Sequence, residues 1–175
     1  MLIGRDNYVR LAHEQLGLGD DAMFFPPPHL LPRVAATEWS QLYESKMAGI
    51  PKRRETLIWG ETHDGNSYHL GGGTAGNAGL FATARGVFRL ASIFARSDYA
   101  ELASRNYTEG LNENRGLGWL LSPLGFGHTG FTGTSVWINA EHRRISVLLT
   151  NRVHPCAAPT GMKRIRDAFH RAALE

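Results

Sequence analysis

Cysteine is almost absent from this chain of 175 residues, since Cys156 is the only one. A single thiol excludes an internal disulfide framework and a thiolate metal cluster. Cys156 lies between Pro155 and Ala157 with no evident base beside it in the sequence. We therefore expect an inert side chain rather than a nucleophile.

Long apolar runs are missing as well. No stretch approaches the ~20 consecutive apolar residues of a transmembrane helix. The chain does not open on a charged leader followed by a continuous apolar segment. We expect no membrane segment and no signal peptide in these residues, which leaves the location open with a preference for the cytoplasm.

No strong charge of one sign is present, because the formal net charge is only +3. Basic residues are scattered, apart from Lys52, Arg53 and Arg54 and residues 163–166. Neither group is interleaved with aromatic residues, so both are interpreted as solvated surface and no nucleic-acid partner is expected. The chain is 42% hydrophobic and 20% charged, which is typical of one globular domain, here over residues 1–175.

Several site motifs are also lacking. The chain contains neither Ser-x-x-Lys nor Gly-x-Ser-x-Gly. Its run "GGGTAGNAG" lacks the Gly-Lys-Ser/Thr ending of a phosphate loop, so the glycines are expected to serve turns and close packing. His63, Asp64 and His69 could bind zinc, but their spacing matches no helical pair. We expect hydrogen bonds that order a loop there, with no metal and no cofactor.

The first half of the chain has one clear periodic element. Residues 5–16 predict a short helix that ends at Gly17. The stretch "MFFPPPHLLPR" predicts an extended connector, because three consecutive prolines cannot continue a helix or a central strand. Residues 1–35 are thus a helix and a Pro-rich connector, and residues 36–82 are predicted as a long Gly-rich loop.

Residues 83–175 show stronger patterns. Thr83 is a candidate N-cap for a helix over 84–96, and Asp98 for a second helix over 98–104. The stretch "TSVWINAEHRRISVLLTN" alternates as an antiparallel hairpin. A terminal helix over 160–174 is predicted to face inward with Ile165, Ala168, Phe169 and Ala172. The fold class is therefore α+β, an antiparallel sheet flanked by helices.

The stretch "GFGHTGFTGTS" contains the candidate site, the His-Thr-Gly segment of His128, Thr129 and Gly130. Gly130 allows close approach to the backbone, Thr129 offers a hydroxyl, and His128 offers a donor or acceptor near neutral pH. The alternative is a histidine that is merely hydrogen-bonded at the start of a strand. These residues alone leave both interpretations open.

Three longer stretches together resemble one family. They are "GETHDGNSYHLGGGTAGNAGLFATA" (60–84), "RGLGWLLSPLGFGHTGFTGTSVWIN" (115–139) and "ISVLLTNRVHP" (145–155). They are similar to the C-terminal half of the serine β-lactamase-like hydrolases, which include class C β-lactamases, D-alanyl-D-alanine peptidases and family VIII esterases. The likeness runs from about residue 16 to the end. It implies a β-lactamase or penicillin-binding-protein-like fold that lacks its N-terminal part.

The resemblance also implies roles for the candidate residues. The family's third motif, Lys-Thr-Gly or His-Thr-Gly, matches the His-Thr-Gly segment. His128 would hydrogen-bond the family's tyrosine or the substrate, and Thr129 would line the acyl pocket. The backbone N–H of Phe131 would be one oxyanion-hole donor, and the nucleophile's own N–H the other. The complete site would act on a small-molecule ester, amide or β-lactam; the sequence does not separate these three.

The departures from the family limit the expected activity. Its Ser-x-x-Lys and Tyr-x-Asn/Ser motifs precede the matched region, and this chain begins after them. Tyr43, Glu44 and Ser45 spell Tyr-x-Ser but fall where the family has a variable loop, so we interpret them as coincidence. Asn77 stands where many relatives have histidine. We expect a hydrolase part that is inactive alone, or else a non-catalytic module that pairs through an exposed strand edge with an N-terminal half or with itself.

Overall fold

A computed structural model describes residues 4–41, 54–157 and 160–174 of the protein. The chain divides into two compact units. Unit 1 comprises Met1–Thr83 with Asn151–Thr160, and unit 2 comprises Ala84–Thr150 with Gly161–Glu175. The Tyr-x-Ser triplet at 43–45 lies outside the described residues, as do Lys52 and Arg53.

Unit 1 begins with helix α1, Arg5–Leu16, as predicted. Gly17 ends it in the left-handed conformation at φ 58°, where its N–H donates to the carbonyl of His13. Strand β1, Ala22–Phe24, pairs antiparallel with β2, Leu80–Ala82. A five-residue helix, α2, spans Gly65–His69.

Two predictions for unit 1 were wrong. The Pro-rich stretch is not extended throughout: Pro27 is extended, but Pro28–Arg33 form a 3-10 helix. Proline is tolerated at the first helical position because that N–H would have no helical partner. The predicted loop over 36–82 contains α2 and ends in β2. Elements of three to five residues are too short to show a periodic sequence pattern.

Unit 2 contains a four-stranded antiparallel sheet in the order β3-β4-β5-β6. Its strands are Leu120–Ser122, Gly125–Thr129, Ser135–Asn139 and Arg144–Leu148. The last two form the predicted hairpin, in register from the pair Ser135 and Leu148 to the pair Asn139 and Arg144. The α+β class with an antiparallel sheet and flanking helices is confirmed.

Two helices precede the sheet. Helix α3, Ala84–Phe94, begins after Thr83 as predicted and ends two residues early. Helix α4, Tyr99–Ser104, follows Asp98, but the Asp98 side chain makes no capping hydrogen bond. They contribute Ala91 and Ala103 to a core that the sheet completes. Buried with these two are Phe126 and Ile138, and packed around them are Phe94, Ala95, Ala100, Trp119, Leu121, Val136 and Ile145.

Helix α5, Met162–Leu174, packs on the other face of the sheet with a different side from the one predicted. Its buried residues are Met162, His170 and Leu174, whereas Ile165 is 52% and Phe169 39% exposed. The predicted Ala168 and Ala172 are exposed too. The expectation assumed that the apolar stripe faces inward. The sheet instead presents Ser135 and Ser146 to this helix, and His170 contacts the hydroxyl of each.

No described helix is both long enough and apolar enough to cross a membrane.

Candidate functional site

Strand β4 places the His-Thr-Gly segment at an open stretch of sheet edge. Strand β4 pairs with β5 from Phe126, opposite Ile138, to Thr129, opposite Ser135. Strand β3 pairs with residues 125–127 only. His128 and Thr129 therefore project past β3, so one edge of β4 there is not covered by a neighbouring strand of unit 2.

The turn that follows this segment is held from three directions. The Gly130 N–H donates to the Thr134 carbonyl at 2.7 Å. Arg166 on α5 donates from Nη2 to the Gly130 carbonyl at 2.7 Å and to the Thr134 carbonyl at 3.0 Å. Thr150 Oγ1 donates to the Gly133 carbonyl at 2.6 Å. A Cβ at position 130 would meet Thr134 Oγ1, so a larger residue there would require that hydroxyl to turn away.

His128 is exposed, and both of its ring nitrogens contact protein atoms. Nδ1 lies 2.9 Å from the carbonyl oxygen of Thr129. Nε2 lies 3.3 Å from Nη1 of Arg115. Arg115 also donates to Oε2 of Glu113, from Nη2 at 2.8 Å and from Nε at 3.2 Å. The arrangement is a chain of contacts from Glu113 through Arg115 to His128.

A compact loop fixes the backbone of Arg115. The Arg115 N–H donates to Thr108 Oγ1 at 2.8 Å, and that hydroxyl donates to the Glu113 carbonyl at 2.6 Å. The Tyr107 N–H donates to the Arg115 carbonyl at 2.8 Å. Sequence reasoning missed Arg115 and Glu113. Arg115 opens the stretch 115–139, but nothing in the spacing connects it with His128.

A buried histidine joins α5 to the sheet below the site. His170 is 1% exposed. Its Nε2 lies 2.7 Å from Ser135 Oγ and its Nδ1 2.8 Å from Ser146 Oγ. Burial lowers the pKa of His170 to about 4, and the nearby Arg166 cation acts in the same direction. The ring is therefore neutral at physiological pH. Because it is buried and contacts both serines, we interpret its role as structural, joining α5 to the sheet.

The candidate zinc ligands His63, Asp64 and His69 lie in unit 1. His63 is buried, with Nδ1 3.0 Å from Thr37 Oγ1 and Nε2 3.6 Å from Glu38 Oε2. Burial lowers the pKa of His63, although Glu38 opposes the shift. His69, the other candidate, is exposed against the ring of Tyr68. Within the described ranges, no group of three or more His, Cys, Asp or Glu side chains is arranged to hold a metal ion.

Asp64 orders the Gly-rich loop instead. It caps α2 by accepting the Ser67 N–H at 2.7 Å, and Ser67 Oγ donates to Asn77 Oδ1 at 3.1 Å. Burial favours a higher pKa for Asp64, but hydrogen bonds from Ser67 and Asn77 outweigh it and hold the pKa below its ordinary value. Asn77 thus takes part in the loop's hydrogen bonding. Cys156, also in unit 1, is an exposed free thiol.

Comparison with known proteins gives a consistent result. A family model described as Beta-lactamase matches residues 16–169, which include the His-Thr-Gly segment, Phe131 and Arg115. Among curated proteins, the chain is similar to a "Putative D-alanyl-D-alanine carboxypeptidase" of Salmonella agona (strain SL483), at 29% identity over 152 residues that cover 73% of this chain and 35% of the relative. A protein of the same name from Salmonella typhi is 29% identical over 155 residues, with the same coverage.

The chain therefore spans about a third of the length of the curated relatives it matches, since the aligned part is 35% of each. No solved structure matches the chain.

Proposed function

Because the chain belongs to the β-lactamase family, we propose that its residues 128–131 form one wall of an acyl-transfer cleft in a serine hydrolase of the D-alanyl-D-alanine carboxypeptidase type. The observation that carries this proposal is the position of His128 and Thr129 on the part of β4 that extends past β3. A strand edge of this kind can align the backbone of a peptide substrate. Arg166 donates to the Gly130 carbonyl, and this contact, the Arg166 clamp, holds the backbone at the end of that edge.

We propose the roles of the four residues from the family resemblance. Phe131 lies in the turn that follows β4, directly after Gly130, whose N–H donates to the Thr134 carbonyl. The Phe131 N–H is proposed as an oxyanion-hole donor, a contact typically worth about 2.7–4 kcal/mol of transition-state stabilisation. Thr129, at the end of β4, would line the acyl pocket.

The nucleophile would come from outside these residues. With no Ser-x-x-Lys in the sequence, the 175 residues are proposed to form no acyl-enzyme alone. In the complete site a serine would attack the ester or amide carbonyl, with lysine and tyrosine as bases. The test is incubation with a fluorescent penicillin, followed by mass spectrometry of the labelled peptide. We expect no label on the chain alone, and a labelled residue within these 175 would overturn this proposal.

Complementation tests the cleft itself. The chain is mixed or co-expressed with the part of the Salmonella agona relative that lies outside the matched segment, and hydrolysis of a p-nitrophenyl ester is followed. We expect activity that requires both parts and falls when Gly130 is replaced by valine. The matched control is Gly161→Val, because a Cβ at Gly161 meets no atom within 4 Å. Activity insensitive to the first substitution would count against a role for the His-Thr-Gly segment.

The Arg115 guanidinium favours a peptidase over an esterase. It lies beside His128 at the cleft wall, and guanidinium groups bind carboxylates through paired, charge-assisted hydrogen bonds. A carboxypeptidase substrate ends in a carboxylate. In the complemented protein, we expect a peptide with a free C-terminus to be cleaved faster than its C-terminal amide, and Arg115→Met to reduce that preference. Equal rates for both peptides would contradict the peptidase assignment.

A non-catalytic interaction module is the second candidate. Strand β6 is the last strand of the sheet and pairs with β5 alone among residues described for unit 2. Ile165 and Phe169 on α5 are also substantially exposed. An open edge and apolar side chains of this kind favour pairing with another chain or another copy. Size-exclusion chromatography with light scattering tests the homodimer, and a stable monomer at micromolar concentration would contradict it.

A further inference from the structure

We infer that Arg115, itself fixed by Glu113, is a positioning residue that holds His128 in one neutral tautomer, with the proton on Nδ1, and that Arg115 places a positive charge beside the His128 ring. The inference deepens the proposed function, and it rests on that function for the premise that His128 lines an acyl-transfer cleft. The tautomer itself can be measured without any catalytic activity.

The two ring contacts of His128 determine the tautomer. Nδ1 is 2.9 Å from the Thr129 carbonyl oxygen, which can only accept, so Nδ1 must carry a proton. Nε2 is 3.3 Å from Nη1 of Arg115, which can only donate, so Nε2 must present its lone pair. A doubly protonated ring has no acceptor for Arg115. Only the neutral Nδ1–H form satisfies both contacts.

The guanidinium of Arg115 has a fixed orientation because Glu113 engages it from the side. Nη2 and Nε both donate to Glu113 Oε2, at 2.8 and 3.2 Å. A guanidinium has five N–H donors. Among the contacts described for unit 2, Glu113 accepts two of these N–H groups and His128 accepts one. The other two N–H groups can bind a substrate oxygen. The Arg115 side chain is 37% exposed, so a ligand can reach it.

The backbone beneath Arg115 is equally constrained. The Thr108 hydroxyl accepts from the Arg115 N–H and donates to the Glu113 carbonyl. The backbone groups of the two residues whose side chains pair are therefore joined through one hydroxyl. Gly116 follows directly, and a Cβ there would collide with the Ala103 carbonyl on α4. These contacts fix the backbone of Arg115 within its loop.

This geometry reassigns the charge of the third motif. In relatives with Lys-Thr-Gly, the first residue brings an ammonium group to the cleft. Here the two ring contacts fit a His128 that contributes no charge, and the cation next to it is Arg115. His128 connects Arg115 to the β4 backbone through the Thr129 carbonyl, and Arg115 presents the donors.

Nitrogen-15 NMR of the imidazole rings tests the inference at mildly alkaline pH, where histidine rings are neutral. Long-range proton–nitrogen correlations identify which ring nitrogen is protonated, and the His128 signals are assigned from their loss in His128→Gln. We expect Nδ1 at the upfield, protonated position and Nε2 downfield in the native chain. Arg115→Met should move Nε2 upfield and Nδ1 downfield, whereas Arg115→Lys, which still donates, should retain the native pattern.

The control is Arg164→Met, which removes an exposed arginine on α5 and should leave the His128 signals unchanged. A native ring protonated on Nε2, or an Arg115→Met spectrum identical to the native one, would overturn the inference. If Arg115→Met does not fold, Glu113→Gln decides: mixed tautomers support the inference and an unchanged pattern contradicts it. Absence of acyl transfer in the complemented protein, with the native NMR pattern intact, would refute the proposed function alone.

Discussion

Arg166 donates to the carbonyl oxygen of Gly130 at 2.7 Å, so the terminal helix of unit 2 directly holds the backbone of the candidate site. The same nitrogen reaches the Thr134 carbonyl at 3.0 Å and closes the turn from the other end. Because the guanidinium is partly buried, these charge-assisted bonds are strong enough to matter for stability.

Replacing Arg166 with methionine should destabilise unit 2 by about 2 kcal/mol, since hydrogen bonds to charged groups contribute roughly 1.5–3 kcal/mol. Urea unfolding measures the effect. The control is Lys163→Met on the same helix, where the side chain is 90% exposed and the expected change is within about 0.5 kcal/mol. Equal stability of the two variants would show that the clamp contributes nothing.

Gly127 is the second constraint on β4. A Cβ at this position would collide with the Val136 carbonyl and the Trp137 ring, and neither backbone nor packed indole can move cheaply. We expect Gly127→Ala to cost about 1–3 kcal/mol through overpacking. Gly161→Ala, where a Cβ meets nothing within 4 Å, serves as the comparison in the same unfolding experiment. A tolerated alanine at 127 would contradict the close approach of β4 and β5.

His170 should make unit 2 sensitive to acid. Its pKa is lowered to about 4 in the folded state, so the unfolded chain, with an ordinary value near 6.5, binds the proton more readily. The stabilisation is therefore complete above about pH 6.5 and is lost as the pH falls towards 4, by an amount on the order of 3 kcal/mol.

Hydrogen exchange of the Ile138 and Val147 amides follows this loss within β5 and β6 themselves. His170→Gln keeps hydrogen-bonding groups but does not titrate, so the acid-dependent component should disappear in that variant. A variant with the same pH profile as the native chain would assign the acid sensitivity to other groups.

The buried side of α5 makes a further prediction. Met162→Ala removes a side chain that is 8% exposed and should cost about 2–3 kcal/mol. Ile165→Ala, at 52% exposure, should change the stability of unit 2 by less than about 0.5 kcal/mol. The reverse order of effects, measured by urea unfolding, would restore the orientation predicted from the sequence.

Sequence patterns predicted the elements whose side chains alternate or recur regularly. The β5–β6 hairpin and α3 follow from such patterns, and the resemblance identified the family. The α5 face was wrong because the helix meets the sheet through His170 and Arg166, and a polar contact surface has no hydrophobic period. Arg115 escaped notice because it is brought to His128 by hydrogen bonds within its loop, including those of Thr108 and Tyr107, and no sequence spacing predicts these.

The clamp on Gly130 also bears on the order in which the site is completed during synthesis. Arg166 lies 36 residues after Gly130, and Thr150, which holds Gly133, lies 17 residues after that glycine. When a nascent chain has just exposed the His-Thr-Gly segment, the residues of the segment are present. The later residues whose contacts fix the backbone of the turn are not yet available. The turn takes its final form only after the terminal helix has left the ribosome and docked on the sheet.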